Sequence, residues 1–377
     1  MKVALVGPVY PYRGGIAHYT TSLARALAKR HTVRVLSFRR QFPAWLYPGR
    51  SDKDPSREPV RVEAEYRLDP LNPVTWWQTG WQLARWRPDL VVVQWWVTVW
   101  APAFATVAAL CRRAGLPVAF LIHNVLPHET RWWDKPLAKM ALQRGSRFIV
   151  HTEPQKQALL DLLPRARVRV CAMPVFDLFA WSKPSGEAAR QKLGLPPGAP
   201  VLLFFGLVRE YKGLRDLLDA MPAIRAELPE ARLLIVGEFW HDKQAYLDQI
   251  ERLGIAPGLM IVDRYVANEE APTYFAAADV AVLPYVHVTQ SAVAQLAFGF
   301  GVPVVTTRVG GLPEAVAEGE TGWLVPPHNP AALAEAIING WRTGEFAAAR
   351  ARFASNDKGQ LWDQLAAALE EIAQNKA

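Results

Sequence analysis

The chain has 377 residues, 51% of them hydrophobic and 21% charged. That length suggests about two domains, and that apolar content excludes a disordered chain. Its two cysteines, Cys111 and Cys171, exclude a disulfide framework and match no zinc-site spacing, so buried free thiols in a reducing cytosol are expected. The net charge of +8 is uneven: residues 1–180 hold 26 Lys and Arg against 12 Asp and Glu, and residues 181–377 hold 17 against 23. A basic half joined to an acidic half suggests a partner surface on the first, for an anionic membrane, an anionic acceptor or nucleic acid.

Residues 2–6, KVALV, read as a first strand and not as a signal peptide. Gly14 and Gly15 then precede a helix over 17–29. Glycines there allow close backbone approach, and a helix start favours an anionic or oxygen-rich group. The three-glycine dinucleotide spacing is missing, and a plain turn is the alternative. A strand over 32–36 is followed by a polar, proline-containing stretch, 46–69, that predicts a long loop. Its Asp52 and Asp54 form a possible metal-binding carboxylate pair, but a structural role is the stronger reading, because a catalytic pair belongs at a strand end. Nine of the fifteen tryptophans lie between residues 76 and 133, and Trp76, Trp77, Trp81 and Trp86 share one predicted helix. Leu90 to Cys111 is 22 residues without a charge, long enough to cross a bilayer. However, LVVVQ reads as a strand, Pro102 fits a helix start, and Arg112, Arg113 and Gly115 end that helix before PVAFLIHN, so the pattern is β-α-β. His123 and Asn124 end the strand over 118–122. A histidine at a strand end can donate to a substrate hydroxyl or a developing charge; a satisfied structural histidine is the alternative. His128, five residues on, shares no helical face with it, so no metal site is read there. Strands over 148–151 and 168–171 complete the first half.

Residues 174–200 have a linker composition, with SKPSG, LPPGAP and a short helix at 187–193. Strands follow over 201–205, 232–236, 260–262, 280–283, 303–306 and 322–325, separated by helical patterns. The segment FFGLVREYKG runs from a strand through Gly206 to Arg209, Lys212 and a helix start. Helix amides and fixed cations attract the same anion, with Arg binding phosphate as a fork and Lys as a point charge; a solvated turn is the alternative. After 280–283, Ser291 can cap a helix at Ala292 and leave amides facing a ligand, with Gln295 one turn in. Gly310 and Gly311 turn into LPE with Glu314. Continuous apolar strands alternating with helices predict α/β architecture with parallel sheets covered on both faces. Twelve strands are too many for one such sheet, so two Rossmann-like domains are expected, over 1–174 and 201–350, with a linker at 175–200. A C-terminal helix in 351–377 is expected to cross back toward the first.

Taken together, GPVYPYRGGIAHYTTSLARAL, FFGLVREYKGLRDLLDAM, ARLLIVGE, AADVAVLPY, GFGVPVVTTRVGGLPEAV and TGWLVPPHNPAALAEAI resemble, in order, the motifs of the family 4 glycosyltransferases. The resemblance covers nearly the whole chain. It implies the GT-B fold, with two Rossmann-like domains facing across a cleft, and a retaining, metal-independent hexosyltransferase without a cofactor. It implies that Arg209 and Lys212 bind the donor diphosphate and support its departure. It places Gly14 and Gly15 near the reacting centre, His123 against the donor sugar, the backbone at Ser291 and Ala292 beside the diphosphate, and Arg264 and Tyr265 where the base docks. Gly206 belongs to the donor loop. The chain departs from the pattern at Val288 and Leu296, where the family usually carries two glutamates for the donor sugar and the ribose. Thr289 or Gln290 could replace part of the first, and Gln295 could accept the ribose hydrogen bond after a small register shift.

The expected partners are a nucleotide-sugar, UDP- or GDP-linked, and a glycan or lipid-linked acceptor. The tryptophans and arginines of the first half suit an anionic membrane surface or a lipid-acceptor groove, with an aromatic-rich core and rim as the alternative; the first of these would make the chain cytoplasmic and peripheral on the inner face of the membrane. No nucleic-acid motif accompanies the charge. Two other readings stay open: a catalytically weak sugar-nucleotide-binding subunit, motivated by the missing glutamates, and a Rossmann oxidoreductase, disfavoured by the missing glycine fingerprint.

Overall fold

The computed structural model describes residues 1–47, 49–127, 129–176, 184–353 and 360–374. They form two compact units. The first contains β1 (Lys2–Val6), α1 (Gly15–Ala28), β2 (Thr32–Phe38), β3 (Glu65–Leu68), α2 (Pro73–Trp86), β4 (Leu90–Trp95), α3 (Ala101–Arg113), β5 (Val118–Ile122), α4 (Asp134–Leu142), β6 (Arg147–Val150), α5 (Glu153–Leu162) and β7 (Val168–Val170). Its seven parallel strands run in the order β3-β2-β1-β4-β5-β6-β7. Every residue of β4 and β5 is buried, as strands covered on both faces require. The uncharged 90–111 segment is thus strand and helix, and among the described residues no helix is long and apolar enough to cross a membrane.

The second unit contains α6 (Gly186–Lys192), β8 (Val201–Phe205), α7 (Leu214–Glu227), β9 (Arg232–Val236), α8 (Lys243–Arg252), β10 (Leu259–Val262), α9 (Ala271–Ala277), β11 (Val280–Leu283), α10 (Ala292–Phe300), β12 (Val304–Thr307), α11 (Leu312–Ala315), β13 (Gly322–Val325), α12 (Pro330–Arg342) and α13 (Glu345–Phe353). Its six parallel strands run β10-β9-β8-β11-β12-β13. The Arg190 side chain on α6 forks onto both carboxylate oxygens of Asp279 at 2.7 Å and also reaches the Ala277 and Ala199 carbonyls. The described part of the linker-like stretch is therefore packed into this unit.

The chain ends, as far as it is described, in α14 (Gln360–Gln374), which belongs to the first unit and packs on α1. Trp362 lies 5.1 Å from the Tyr19 ring, and Glu370 holds both His31 at 2.8 Å and Arg30 at 3.0 Å.

Three expectations need correction. The 46–69 stretch is not all loop: Glu65–Leu68 is an edge strand pairing with β2. Only Leu68 of its four residues is buried, and an edge strand with one inward residue carries almost no apolar signal. Among the described residues the strands therefore number thirteen, not twelve. Cys171 is half-buried rather than buried, while burial pushes the Cys111 thiol up to about 12. His128 lies outside the described residues.

Candidate active site

In a doubly wound sheet, ligands bind beyond the carboxyl ends of the strands where the winding direction reverses. In the second unit that point lies between β8 and β11. The two loops leaving it are the Gly206–Gly213 segment and residues 284–291. The first is tied to the second: the Val286 N–H donates to the Tyr211 carbonyl at 2.8 Å. Gly213 has φ 69°, and a Cβ there would stand 1.8 Å from the Pro284 carbonyl oxygen.

This closure buries Lys212, 7% exposed. Its ammonium sits over Gly206, where a Cβ would come within 2.9 Å of Nζ and 3.3 Å of Val293 at the start of α10, and 5.9 Å from the Tyr285 ring. Burial, and then the Arg209 charge, lower its pKa to about 7. A lysine lowered this far beside a second cation stands to gain from an anion placed between them. Arg209 is half-buried, with its guanidinium 5.1 Å from the Tyr211 ring and 5.3 Å from the Trp240 ring. Contacts to two aromatic faces fix a planar cation and orient its edge for a planar or tetrahedral anion. Ser291 caps α10 by accepting from the Ala294 N–H at 3.1 Å, and its hydroxyl donates to Tyr285 at 3.3 Å. The N–H groups at Ala292 and Val293 lie in the first turn, which has no helical carbonyl to meet. Gln295 is buried one turn in, and Thr289 and Gln290 are half-buried. Val288, where the family pattern has a glutamate, is a core residue whose carbonyl lies 1.6 Å from where a Gly310 Cβ would be. The Gly310-Gly311 turn thus backs this loop, and the Gly311 N–H donates to the Thr289 carbonyl at 3.1 Å. Beyond β10, the Arg264 guanidinium is engaged by the Glu270 carboxylate, and Tyr265 beside it is half-buried.

In the first unit the winding reverses between β1 and β4. Gly14, at φ 102°, precedes α1 at Gly15, which has no side-chain cap and no acid in its first turn. His123, at the end of β5, is 1% exposed, with Nε2 2.7 Å from Gln94 Oε1. The carboxamide oxygen accepts, so Nε2 carries the proton. Burial and then the neighbouring His151 lower its pKa well below the usual range. Burial likewise lowers His151 to about 4, so both imidazoles are neutral at pH 7. Gln155 ties the strand ends together, donating to the His123 carbonyl at 2.6 Å and accepting from the His151 N–H at 2.8 Å. Gln94 is itself pressed by Gly7, where a Cβ would meet Gln94 Cγ at 2.5 Å. Gly7→Ala is expected to cost about 1–3 kcal/mol, the usual penalty for overpacking, and to remove the hydrogen-bonded His123 ring proton from its downfield NMR position. Retention of that signal in a destabilised variant would show that Gln94 does not hold His123.

Most of the residues read from the sequence therefore gather near the two winding reversals, while Arg264 and Tyr265 follow the edge strand β10. Tyr211, Trp240, Tyr285, Gln94 and Gln155 are added by the structure. Trp240 and Tyr285 each stand a few residues beyond a strand end, the only signal the sequence carries for them. Among the described residues, no group of three or more His, Cys, Asp or Glu could hold a metal ion.

Residues 13–175 match the family profile Glycosyltransferase Family 4, and residues 199–342 match that of Glycosyl transferases group 1. The chain belongs to the family 4 glycosyltransferases. Among curated relatives of this family member, the D-inositol 3-phosphate glycosyltransferase 2 of Catenulispora acidiphila is 35% identical over 201 residues, 51% of this chain and 47% of the relative. The D-inositol 3-phosphate glycosyltransferase of Mycolicibacterium smegmatis is 34% identical over 205 residues, 53% and 46% of the two chains. The chain thus spans about half the length of the curated relatives it matches. Among solved structures, the HepE protein of Anabaena in complex with UDP-glucose aligns with TM-score 0.73 at 21% identity, covering 99% of this chain and 98% of that one. The starch synthase IV catalytic domain of Arabidopsis thaliana, bound to ADP and acarbose, aligns with TM-score 0.71 at 13% identity, covering 100% and 99%. These likenesses place the two parallel-sheet units in the GT-B class of α/β folds.

Proposed function

We propose that the protein is a retaining glycosyltransferase that moves a hexose from a nucleotide-sugar to an acceptor hydroxyl without a metal ion. The observation that carries this is the buried Lys212 ammonium beside Arg209 at the winding reversal of the second unit. Two cations with the α10 amides can take the charge that a sugar-linked diphosphate develops as it leaves, which is electrostatic stabilisation of the transition state. The bond from the anomeric carbon to the phosphate oxygen breaks, the acceptor oxygen bonds to that carbon on the same face, and the acceptor proton passes to the departing diphosphate. Ser291, Thr289, Gln290 and Gln295 line the donor with polar groups, and Gly206 leaves room for the phosphates. Arg264 and Tyr265 border the base, and Gly14, Gly15 and His123 serve the sugar. HepE binds UDP-glucose, which supports a UDP-sugar, with a GDP-sugar as the second choice. The acceptor in this reading is a lipid-linked or cell-envelope glycan, and the chain works peripherally at a membrane.

The test is a thermal-shift screen with UDP-, GDP- and ADP-sugars, followed by transfer assays. A ligand that binds only the folded state raises the melting temperature in proportion to its affinity. Arg209→Ala is expected to weaken the best donor about 10- to 100-fold and slow transfer about 100- to 1,000-fold with an unchanged circular dichroism spectrum. A donor affinity indifferent to Arg209 would overturn the assignment. Val288 and Leu296, apolar where the family pattern has acids, favour a second reading: a sugar-nucleotide-binding subunit with weak activity of its own. Tight donor binding without transfer or hydrolysis would select it.

A further inference from the structure

The α2 helix carries an apolar stripe on its solvent face. Val74, Trp77 and Trp81 are exposed at helical spacing, with Trp77 at 53% and Trp81 at 47%. The two indoles stack at 6.2 Å, 12° from parallel, and the Arg85 guanidinium continues the row 4.6 Å from the Trp81 ring. The opposite face is fully committed: Thr79, Gly80 and Leu83 are buried, and a Gly80 Cβ would stand 2.7 Å from Leu110 of α3. The exposed indoles therefore do not belong to the core, and a water-facing pair of stacked tryptophans is costly unless something covers it.

A second patch of the same chemistry sits at the start of α4. Trp132, 84% exposed, meets Trp133 edge-on at 5.3 Å, and the Arg131 guanidinium lies 5.2 Å from the Trp133 ring. Lys135 and Lys139 are exposed on α4. The strands β3, β4, β5 and β6 succeed one another in one direction across the sheet. Right-handed crossovers then place α2, α3 and α4 on one face, with α3 packed between the other two. Cations predominate on this face, with Glu129 an exposed acid at its edge. Residues 70–88 contain no Asp or Glu, and Asp134, the one acid from 130 to 147, is buried, held by Thr98 and by the Arg131 N–H at 2.6 Å.

We propose that the α2–α4 face of the first unit is a docking surface for an anionic lipid bilayer, with Trp77, Trp81, Trp132 and Trp133 entering the headgroup layer. The inference rests on the peripheral-membrane part of the reading above and names the surface that performs it. The occupant follows from the chemistry: indoles suit the boundary between hydrocarbon and water, and the arginines and lysines beside them outnumber the single exposed acid, Glu129, and match lipid phosphates. A protein partner would be expected to meet these cations with specific carboxylates, whereas a bilayer needs only density of charge.

The experiment is flotation of the full chain with vesicles of phosphatidylcholine alone or mixed with phosphatidylglycerol. Binding is expected only with phosphatidylglycerol, and is expected to fall at high salt as the charges are screened. The double substitution Trp77→Ser with Trp81→Ser is expected to lower the bound fraction about tenfold or more, as is Lys135→Gln with Lys139→Gln at low salt. Both variants should keep the parent's melting temperature and its thermal shift with nucleotide-sugar, so a failure of docking is distinguishable from a failure of the donor assignment. Flotation that is equal in parent and variants, or absent at every phosphatidylglycerol content, would overturn the proposal. So would a parent dimer that the tryptophan variant converts to monomer in light scattering, or loss of a soluble anionic glycan's binding without any flotation.

Discussion

Lys212→Met is expected to abolish donor binding and, at the same time, to stabilise the protein. An unfolded lysine titrates near 10.5, and the folded Lys212 near 7. Between these values the unfolded chain holds the proton and the folded chain does not, so stability rises with pH from 7 to 10.5. Below pH 7 the whole penalty of burying the charge is present, on the order of 5 kcal/mol. Methionine fills the same channel over Gly206 without a charge, so the variant should unfold at higher urea near pH 6.5. The difference should shrink above pH 10. A variant less stable than the parent at pH 6.5 would mean that the ammonium is stabilised by its surroundings. The same titration governs the donor. A nucleotide-sugar has no phosphate proton to lose near neutrality, so its affinity follows the protonation of Lys212. It should drop about tenfold per pH unit above 7, until the bound-state pKa is passed. Calorimetry in buffers of different ionisation heat should show proton uptake on binding at pH 8, and none in Lys212→Met.

Gly213→Ala is expected to cost about 3–5 kcal/mol, a penalty typical of backbone strain combined with overpacking. The residue is at φ 69°, and the added methyl would stand 1.8 Å from the Pro284 carbonyl oxygen, a backbone atom that cannot swing aside. Relief requires the Gly206–Gly213 segment to part from residues 284–286, which removes the Val286–Tyr211 hydrogen bond and opens the lid over Lys212. Nucleotide-induced thermal shift should therefore vanish even at temperatures where the variant is folded. Gly254 supplies the control. It has φ 64° but no atom within 4 Å of where an added methyl would stand, so Gly254→Ala should cost only about 1–2 kcal/mol and leave donor binding unchanged. Equal losses at the two positions would assign the effect to backbone conformation alone.

The cations of the donor loop are legible in the sequence because a strand, a glycine and a helix start are local features, and Arg209 and Lys212 fall between them. What holds those cations is not legible. Trp240 and Tyr211 flank Arg209 from two different loops, and nothing in the spacing of residues 209, 211 and 240 encodes that meeting. His123 reads correctly as a strand-end residue, but its burial and its bond to Gln94 depend on the neighbouring strand, whose identity is a matter of sheet order. Gln94 closes an apolar run and reads as the last residue of a strand. The edge strand at Glu65–Leu68 and the helix at Asp134–Leu142 escape a sequence reading for a related reason. Both are short, and an edge strand or a short amphipathic helix buries too few residues to leave a period in the sequence.

The first unit is assembled from two distant pieces of chain, with the whole of the second unit's α6 to α13 between them. A ribosome makes β1 to β7 first, yet the α1 surface around Tyr19 and His31 has no cover until Trp362 and Glu370 have been synthesised. The nascent first half therefore waits with an unfinished face while the second unit, formed by Val175–Lys358 with the earlier-made Pro55–Glu58, can fold as it emerges. Translation order and folding order are then inverted: the earlier-made unit is completed last, by the helix that α14 adds to α1.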